Sequence, residues 1–148
     1  MIKIFSLALV IFISCPFGSA HAGKILTPDG YLEEPVWTSE ELQVDISRKL
    51  IKNTEGASFF WIRLKGSETP HTHNIHDLTV VMIHGEALVH LGAKAEKVQT
   101  GDVIEIPRET VHWAENRGSK PALIYAVFTP FLEGKDYQPV ELKNIKNS

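Results

Sequence analysis

Short stretches of apolar residues recur through the middle of the chain, and turn-forming residues separate them. Apolar, β-branched and aromatic side chains dominate the segments at residues 57–64, 78–83, 86–91, 98–99, 103–106 and 122–128. Gly85, Gly92 and Pro107 end three of these segments. Short strands that recur roughly every eight to twelve residues are typical of an all-β sandwich or barrel. No segment in this block has a helical period, so we predict an all-β domain.

The chain before this block has weaker patterns. Residues 27–30 have the composition of a tight turn, and Leu42, Val44 and Ile46 alternate with polar residues as in a strand. The chain has 148 residues, the length of one ordinary domain. We therefore predict an N-terminal arm at residues 23–53, a barrel at 54–130 and a C-terminal tail at 131–148.

The first residues have the order of features found in a secretory signal peptide. Lys3 gives a positive start, residues 4–13 are apolar, and Ala20 and Ala22 form a small-x-small cleavage pattern. The apolar run is too short to cross a bilayer, which takes about 20 residues. We expect cleavage after Ala22 and a periplasmic or secreted protein. Lipidation of Cys15 is the alternative, and it would leave the protein anchored to a membrane.

Removal of residues 1–22 changes the composition in one important way. The mature chain keeps 14 Lys and Arg against 18 Asp and Glu, a net charge of −4, and it loses the single cysteine. Without cysteine it has no disulfide, no thiolate metal ligand and no thiol nucleophile. No basic patch is present, so nucleic acid is not an expected partner. We expect no membrane partner after cleavage.

Three histidines carry the strongest chemical pattern. His71 and His73 are two residues apart, so in an extended segment their side chains point to the same face. Two imidazoles on one face form half of a transition-metal site. His112 follows a strand and a turn at Pro107, which could return it to the same region.

These two segments resemble the two sequence motifs of the cupin superfamily. The matching positions of the two motifs are Gly66, His71, His73 and Gly85 in the first and Gly101, Pro107, His112 and Asn116 in the second. The resemblance implies a single cupin barrel, which is a double-stranded β-helix or jelly roll. It also implies one metal ion on His71, His73 and His112, and a homodimer, as small cupins commonly form.

The carboxylate of the cupin metal site has no clear counterpart. Asp77 and Leu78 occupy the two positions where the motif allows a glutamate. A shift of one residue reverses the face of a strand side chain, so register decides between them. We favour Asp77 as the fourth ligand, which needs a bulge or turn after His73. His76 is the second choice, and a site with three histidines alone is the third.

The expected ligand set suits a divalent transition metal ion: Fe, Mn, Ni, Cu or Zn. We expect a small organic substrate or ligand. Our first interpretation is a metal-dependent dioxygenase or related oxidoreductase. The alternatives are a non-catalytic module that binds a small molecule or metal, and a redox-neutral isomerase or lyase in which the ion polarises a carbonyl group.

Overall fold

The computed structural model describes residues 22–141. The predicted signal peptide, apart from Ala22, and Cys15 lie outside these residues. Within them the chain forms two five-stranded antiparallel sheets, a separate two-stranded hairpin and one short helix. This architecture confirms the predicted all-β class and barrel. No helix between residues 22 and 141 has the length and apolarity needed to cross a membrane.

The elements follow one another in chain order. They are β1 (Leu26–Thr27), β2 (Gly30–Tyr31), α1 (Ser39–Gln43), β3 (Ile46–Asn53), β4 (Ser58–Leu64), β5 (His71–Thr72), β6 (Asp77–His84), β7 (Glu86–Leu91), β8 (Lys94–Gln99), β9 (Val103–Ile106), β10 (His112–Asn116), β11 (Ala122–Thr129) and β12 (Gln138–Pro139). One sheet has the strand order β3-β4-β11-β6-β9, and the other has the order β12-β5-β10-β7-β8.

The N-terminal region differs from the prediction in two respects. The chain from Ser39 to Gln43 is helical, because Thr38 caps the helix and exchanges hydrogen bonds with Glu41 in a capping box. The strand predicted through Leu42 therefore begins only at Ile46. β3 pairs with β4 along its length. The boundary predicted after residue 53 thus comes at the end of the first strand of the barrel, so the predicted N-terminal arm includes that strand.

The core lies between the two sheets. Side chains from the inner faces of both sheets form one buried cluster, in which Leu64, Met82 and Ala126 are at most 1% exposed. A smaller cluster on the outer face of the first sheet packs Trp61, Ile83 and Leu123 against residues of the N-terminal region. Burial of apolar area on both faces of this sheet stabilises it and fixes the register of its strands.

One motif glycine has a clear structural cause. Gly85 joins β6 to β7 with a φ of 95°, a left-handed conformation that residues with a Cβ rarely adopt. A Cβ at this position would lie 2.8 Å from the Cα atom of Ala122. The tight turn here lets the chain leave one sheet and enter the other.

Candidate metal centre

The structure brings His71, His73 and His112 together at one end of the barrel. β5 and β10 are antiparallel neighbours, and His71 pairs directly with His112. His73 follows β5 and is buried with them. The ring centroids of His71 and His112 are 4.3 Å apart, and His73 lies 5.0 Å from His71 and 5.3 Å from His112. One ring nitrogen from each residue lies within 4.8 Å of the other two.

Each of these rings is held through its Nδ1 atom. His71 Nδ1 donates to the carbonyl oxygen of Thr69 at 2.8 Å, and His112 Nδ1 donates to that of Thr110 at 2.9 Å. His73 Nδ1 donates to the carbonyl oxygen of Asp136. A histidine that donates from one nitrogen to a carbonyl presents the lone pair of its other nitrogen, as metal-binding histidines usually do. The three Nε2 atoms are therefore free to bind one ion.

The environment keeps these rings neutral, as metal binding requires. Burial lowers the pKa of His71 to about 4, and the neighbouring ring of His112 contributes to the same shift. Burial also lowers the pKa of His112 to about 4. Burial is the main reason that the pKa of His73 lies below its usual value, and the positive charge of Arg48 lowers it further. No proton has to leave these rings before a metal ion binds near pH 7.

The three histidines open into the interior of the barrel. The cavity has a volume of about 460 Å³, within the usual range for small-molecule sites. Its walls are mostly aliphatic, and the rings of Phe128 and His73 meet in a T-shaped arrangement with centroids 5.2 Å apart. The donor atoms, their neutrality and the open space beside them fit a divalent transition metal ion with coordination positions left for other ligands.

Asp77 does not join the cluster, so its assignment as fourth ligand needs correction. Leu78 points into the core and is 5% exposed, so the preceding residue points outward. The Asp77 carboxylate instead accepts hydrogen bonds from the backbone and side chain of Arg108, the shortest at 2.6 Å. These bonds lower the pKa of Asp77 to about 2. Strand β6 starts in regular register at Asp77, and no bulge turns its carboxylate inward.

His76 does not join the cluster either, although it is only 2% exposed. Its Nδ1 atom lies 2.6 Å from a carboxylate oxygen of Asp136, and its Nε2 atom lies 3.3 Å from the carbonyl oxygen of Phe131. Both ring nitrogens therefore have protein partners. Of the three arrangements considered from the sequence, the described residues present the one with three histidines alone.

The C-terminal segment closes one side of the site, a role that sequence reasoning did not find. The Asp136 carboxylate accepts from the backbone amides of Asn74 and Ile75 at 2.9 Å and from that of His76 at 3.1 Å. Burial raises the pKa of Asp136, but these hydrogen bonds and that of the His76 ring outweigh it and bring the pKa to about 2. The Tyr137 ring stacks on His71 with centroids 4.4 Å apart.

Two charged residues of the cavity wall were also missed. Glu68 lies on the segment before His71, and its carboxylate accepts from the amide of Ala114 at 2.8 Å. Arg48 lies on β3 and reaches the same cavity. Neither residue belongs to a recognisable motif, so their location in the cavity wall is seen only once distant strands pair in the fold.

Comparison with known proteins agrees with this geometry. The sequence model of the family described as "Cupin domain" matches residues 59–128. An uncharacterized protein of Aquifex aeolicus (strain VF5) is 34% identical over 111 residues, which cover 75% of this chain and 91% of that protein. The chain belongs to the cupin family.

Solved structures show the same fold. A protein of Klebsiella pneumoniae subsp. pneumoniae with a double-stranded β-helix domain aligns with a TM-score of 0.59 and 22% identity, over 74% of this chain and 99% of that one. KdgF from Halomonas sp. aligns with a TM-score of 0.55 and 23% identity, over 65% of this chain and 94% of that one. At these identities the likeness supports the double-stranded β-helix and says nothing about substrate.

Proposed function

We propose that this cupin is a metal-dependent enzyme that transforms a small organic molecule held beside a divalent transition metal ion on His71, His73 and His112. One observation carries the proposal. Three neutral imidazoles, each fixed through Nδ1, face one another at the wall of an apolar cavity of about 460 Å³. A purely structural metal site usually has four protein ligands and no open position. Three ligands beside a cavity are typical of a catalytic site.

When bound, the ion supplies Lewis acidity or, for Fe, Mn, Ni and Cu, redox chemistry as well. The chain itself orients the ligands, and the aliphatic walls keep water away from the reacting molecule. Phe128 and Tyr137 pack on the ligand rings and limit their rotation. The protein thus supplies a dry and rigid setting in which a substrate reacts at one defined position.

Dioxygenase or related oxidoreductase activity on a small substrate is the first candidate. Its support is the histidine-rich ligand set and the resemblance of both motifs to those of cupin dioxygenases. This activity requires a redox-active ion and consumes oxygen in proportion to the substrate added.

Redox-neutral isomerase or lyase chemistry is the second candidate, and Glu68 is the observation in its favour. Burial raises the pKa of the Glu68 carboxyl to about 7, while its hydrogen bond from Ala114 acts in the opposite direction. No cation pairs with it within residues 22–141. A carboxyl group with this pKa can both accept and donate a proton near neutral pH. By contrast, Glu109, which lies in the turn before His112, is exposed to solvent.

The proposal also includes export of the protein and formation of a homodimer. Export is supported by the predicted signal peptide at residues 1–22, and mass spectrometry of the periplasmic or secreted protein tests cleavage after Ala22.

A homodimer is supported by edge strand β3, where Ile46 and Leu50 are 37% and 53% exposed. A monomer at micromolar concentration in light scattering would contradict the dimer.

The experiment for the proposed activity compares metals. Protein freed of metal with EDTA is loaded with Fe(II) or Zn(II) and screened with phenols, diketones and thiols for oxygen uptake and for product under nitrogen. Substrate-dependent oxygen uptake by the Fe(II)-loaded protein but not by the Zn(II)-loaded protein supports the dioxygenase. Product formed by the Zn(II)-loaded protein under nitrogen supports the redox-neutral enzyme. His112→Ala should abolish either activity. His84→Ala is the matched control, because His84 is at the C-terminal end of β6 and does not belong to the histidine cluster. Ligand binding without turnover under every condition would favour the non-catalytic module.

A further inference from the structure

Arg48 differs from the other arginines of the described chain in having no partner in an ion pair or a side-chain hydrogen bond. Arg108 pairs with Asp77, Arg117 pairs with Glu115, and Arg63 donates to a carbonyl oxygen of α1. Within residues 22–141 the guanidinium of Arg48 makes no ion pair and no side-chain hydrogen bond. A guanidinium carries several N–H donors in a planar fork, so these donors remain available to a ligand.

Arg48 is an exposed residue that lines the same cavity as the three histidines. Arg48 is opposite Ile62 in the β3–β4 ladder, and residues opposite each other point to the same face. Both residues line the cavity. The guanidinium carbon lies 5.7 Å from the centroid of the Phe60 ring, and Phe60 packs edge to face on Phe128, which packs on His73. Arg48 therefore stands on the wall that continues to the histidine cluster.

The charges around the cavity favour an anion. The three imidazoles are neutral, and no carboxylate among residues 22–141 joins their cluster, so the ligand set itself does not offset the charge of a divalent ion. The Asp136 carboxylate is already used by His76 and three backbone amides. Glu68 is partly protonated near neutral pH. Arg48 and Lys135 add positive charge to the same cavity.

The rest of the wall is apolar. Its side chains come from the inner faces of several strands, and they include Ile62, Leu64, Val80, Val89, Ile104 and Ile124. Such a wall gains free energy by covering hydrocarbon and cannot satisfy additional polar groups. A ligand that fits this cavity has one anionic end and an apolar body.

We propose that the substrate of this site is a small organic carboxylate with an apolar body, and that Arg48 is the residue that binds its carboxylate. The proposal rests on the proposed function, because it assigns the substrate class of the same cavity. Arginine and carboxylate match in shape and form paired charge-assisted hydrogen bonds. Specificity for acids over their neutral analogues follows from the loss of these bonds when the charge is removed.

The test uses benzoate, phenylacetate and cinnamate as probes, each compared with its neutral amide. Isothermal titration calorimetry measures their dissociation constants for zinc-loaded and EDTA-treated protein. Arg48→Gln should weaken binding of the acids about tenfold, the effect of one charge-assisted contact, and leave the amides within about twofold. Arg48→Lys should give an intermediate loss, because it keeps the charge but not the planar fork.

Lys49→Gln is the matched control. Lys49 is the next residue of β3, carries the same charge and points to the opposite face, where it pairs with Glu41. This variant should bind the acids as the wild type does. Circular dichroism and melting temperature confirm that all variants are folded.

Two results would overturn the proposal. One is a wild-type protein that binds no acid more tightly than its amide. The other is unchanged acid binding by Arg48→Gln, including the case where EDTA abolishes that binding, which would assign the anion to the metal ion alone. Failure of the proposed function is a separate result, because a protein that takes up no zinc can still show the Arg48-dependent preference for acids.

Discussion

Two groups of buried residues occupy the same end of the barrel: the three cluster histidines, and His76 with Asp136. They differ in what the histidine ring nitrogens contact. In the cluster of His71, His73 and His112, each Nδ1 donates to a backbone carbonyl, and the remaining nitrogens face one another across open space. His76 is as deeply buried, but the Asp136 carboxylate and a carbonyl oxygen take both of its nitrogens. The first group can bind a metal ion, and the second holds the C-terminal segment.

Burial and proximity in the sequence therefore do not by themselves identify a metal ligand. His76 is three residues from His73, within the range where the motif expects a ligand. What separates them is the use of the second nitrogen. A histidine with both nitrogens bonded to protein would have to break a contact before it bound a metal, and for His76 one such contact is a buried hydrogen bond with a carboxylate, whose loss is costly.

Removal of a cluster histidine should have the largest effect. His112→Ala should lower metal affinity by roughly a hundredfold or more, because even residues that only orient a ligand change affinity about 10- to 100-fold. His76→Ala should keep about one metal ion per chain and lose stability instead. Metal content after dialysis, measured by plasma mass spectrometry beside a melting curve, separates the two. Equal metal loss in both variants would erase the distinction between the groups.

Disruption of the second group should mainly affect folding. Asp136→Asn breaks a buried pair and weakens the acceptor of three amides, so the free energy of unfolding should fall by about 3 kcal/mol at pH 7. Urea denaturation of the metal-free protein measures this change. Glu115→Gln, the same kind of change at a half-buried carboxylate that contacts His90 and Arg117, is the control and should cost less than about 1 kcal/mol.

The loss of stability in Asp136→Asn should depend on pH in a defined direction. Asp136 has a folded-state pKa of about 2, below its ordinary value of 3.8, so its charge stabilises the fold above pH 3.8 and that contribution is lost as the pH falls toward 2. The difference between wild type and Asp136→Asn should therefore shrink by about 2 kcal/mol between pH 5 and pH 2. A constant difference would show that the carboxylate charge is not involved.

Glu68 should show the opposite pH dependence. Its folded-state pKa of about 7 lies above the ordinary value of 4.5, so ionisation destabilises the metal-free fold as the pH rises from 4.5 through 7. Glu68→Gln keeps an acceptor for Ala114 and removes the charge. Relative to this variant, the EDTA-treated wild type should lose about 2 kcal/mol of stability between pH 5 and pH 8. Parallel stability curves would mean that Glu68 titrates normally.

The smallest effect is expected at Asp77. Asp77→Asn weakens an exposed ion pair with Arg108 and should leave metal content unchanged, with a slight change in melting temperature. Metal analysis of the purified variant checks this. A loss of metal comparable to that of His112→Ala would restore Asp77 as a ligand.

The sequence was sufficient for the parts of the molecule that depend on local pattern. Strands β7 (Glu86–Leu91) and β9 (Val103–Ile106) match the predicted segments, because alternating apolar residues between turns define them. The histidine cluster was found because its members lie in the two motifs that resemble those of cupins. The alternation of Leu42, Val44 and Ile46 predicts a strand, but the capping box at Thr38 starts helix α1 there instead.

The remaining features depend on contacts between residues distant in the chain. Asp136 reaches His76 across 60 residues, and Glu68 reaches Ala114 across 46. No local pattern encodes either contact. The error at Asp77 has a related cause, since one residue of register decides whether a strand side chain faces the cavity or the solvent. The partner of that strand fixes the register, and the sequence of the strand alone does not.

The most direct test of the central claim is an anomalous difference map from crystals of the zinc-loaded protein, collected at the zinc absorption edge. We predict one peak per chain, bonded to the Nε2 atoms of His71, His73 and His112 at about 2.0–2.1 Å, with His76 still on Asp136. A peak beside Asp77 or His76, or no peak within reach of the three rings, would contradict the account.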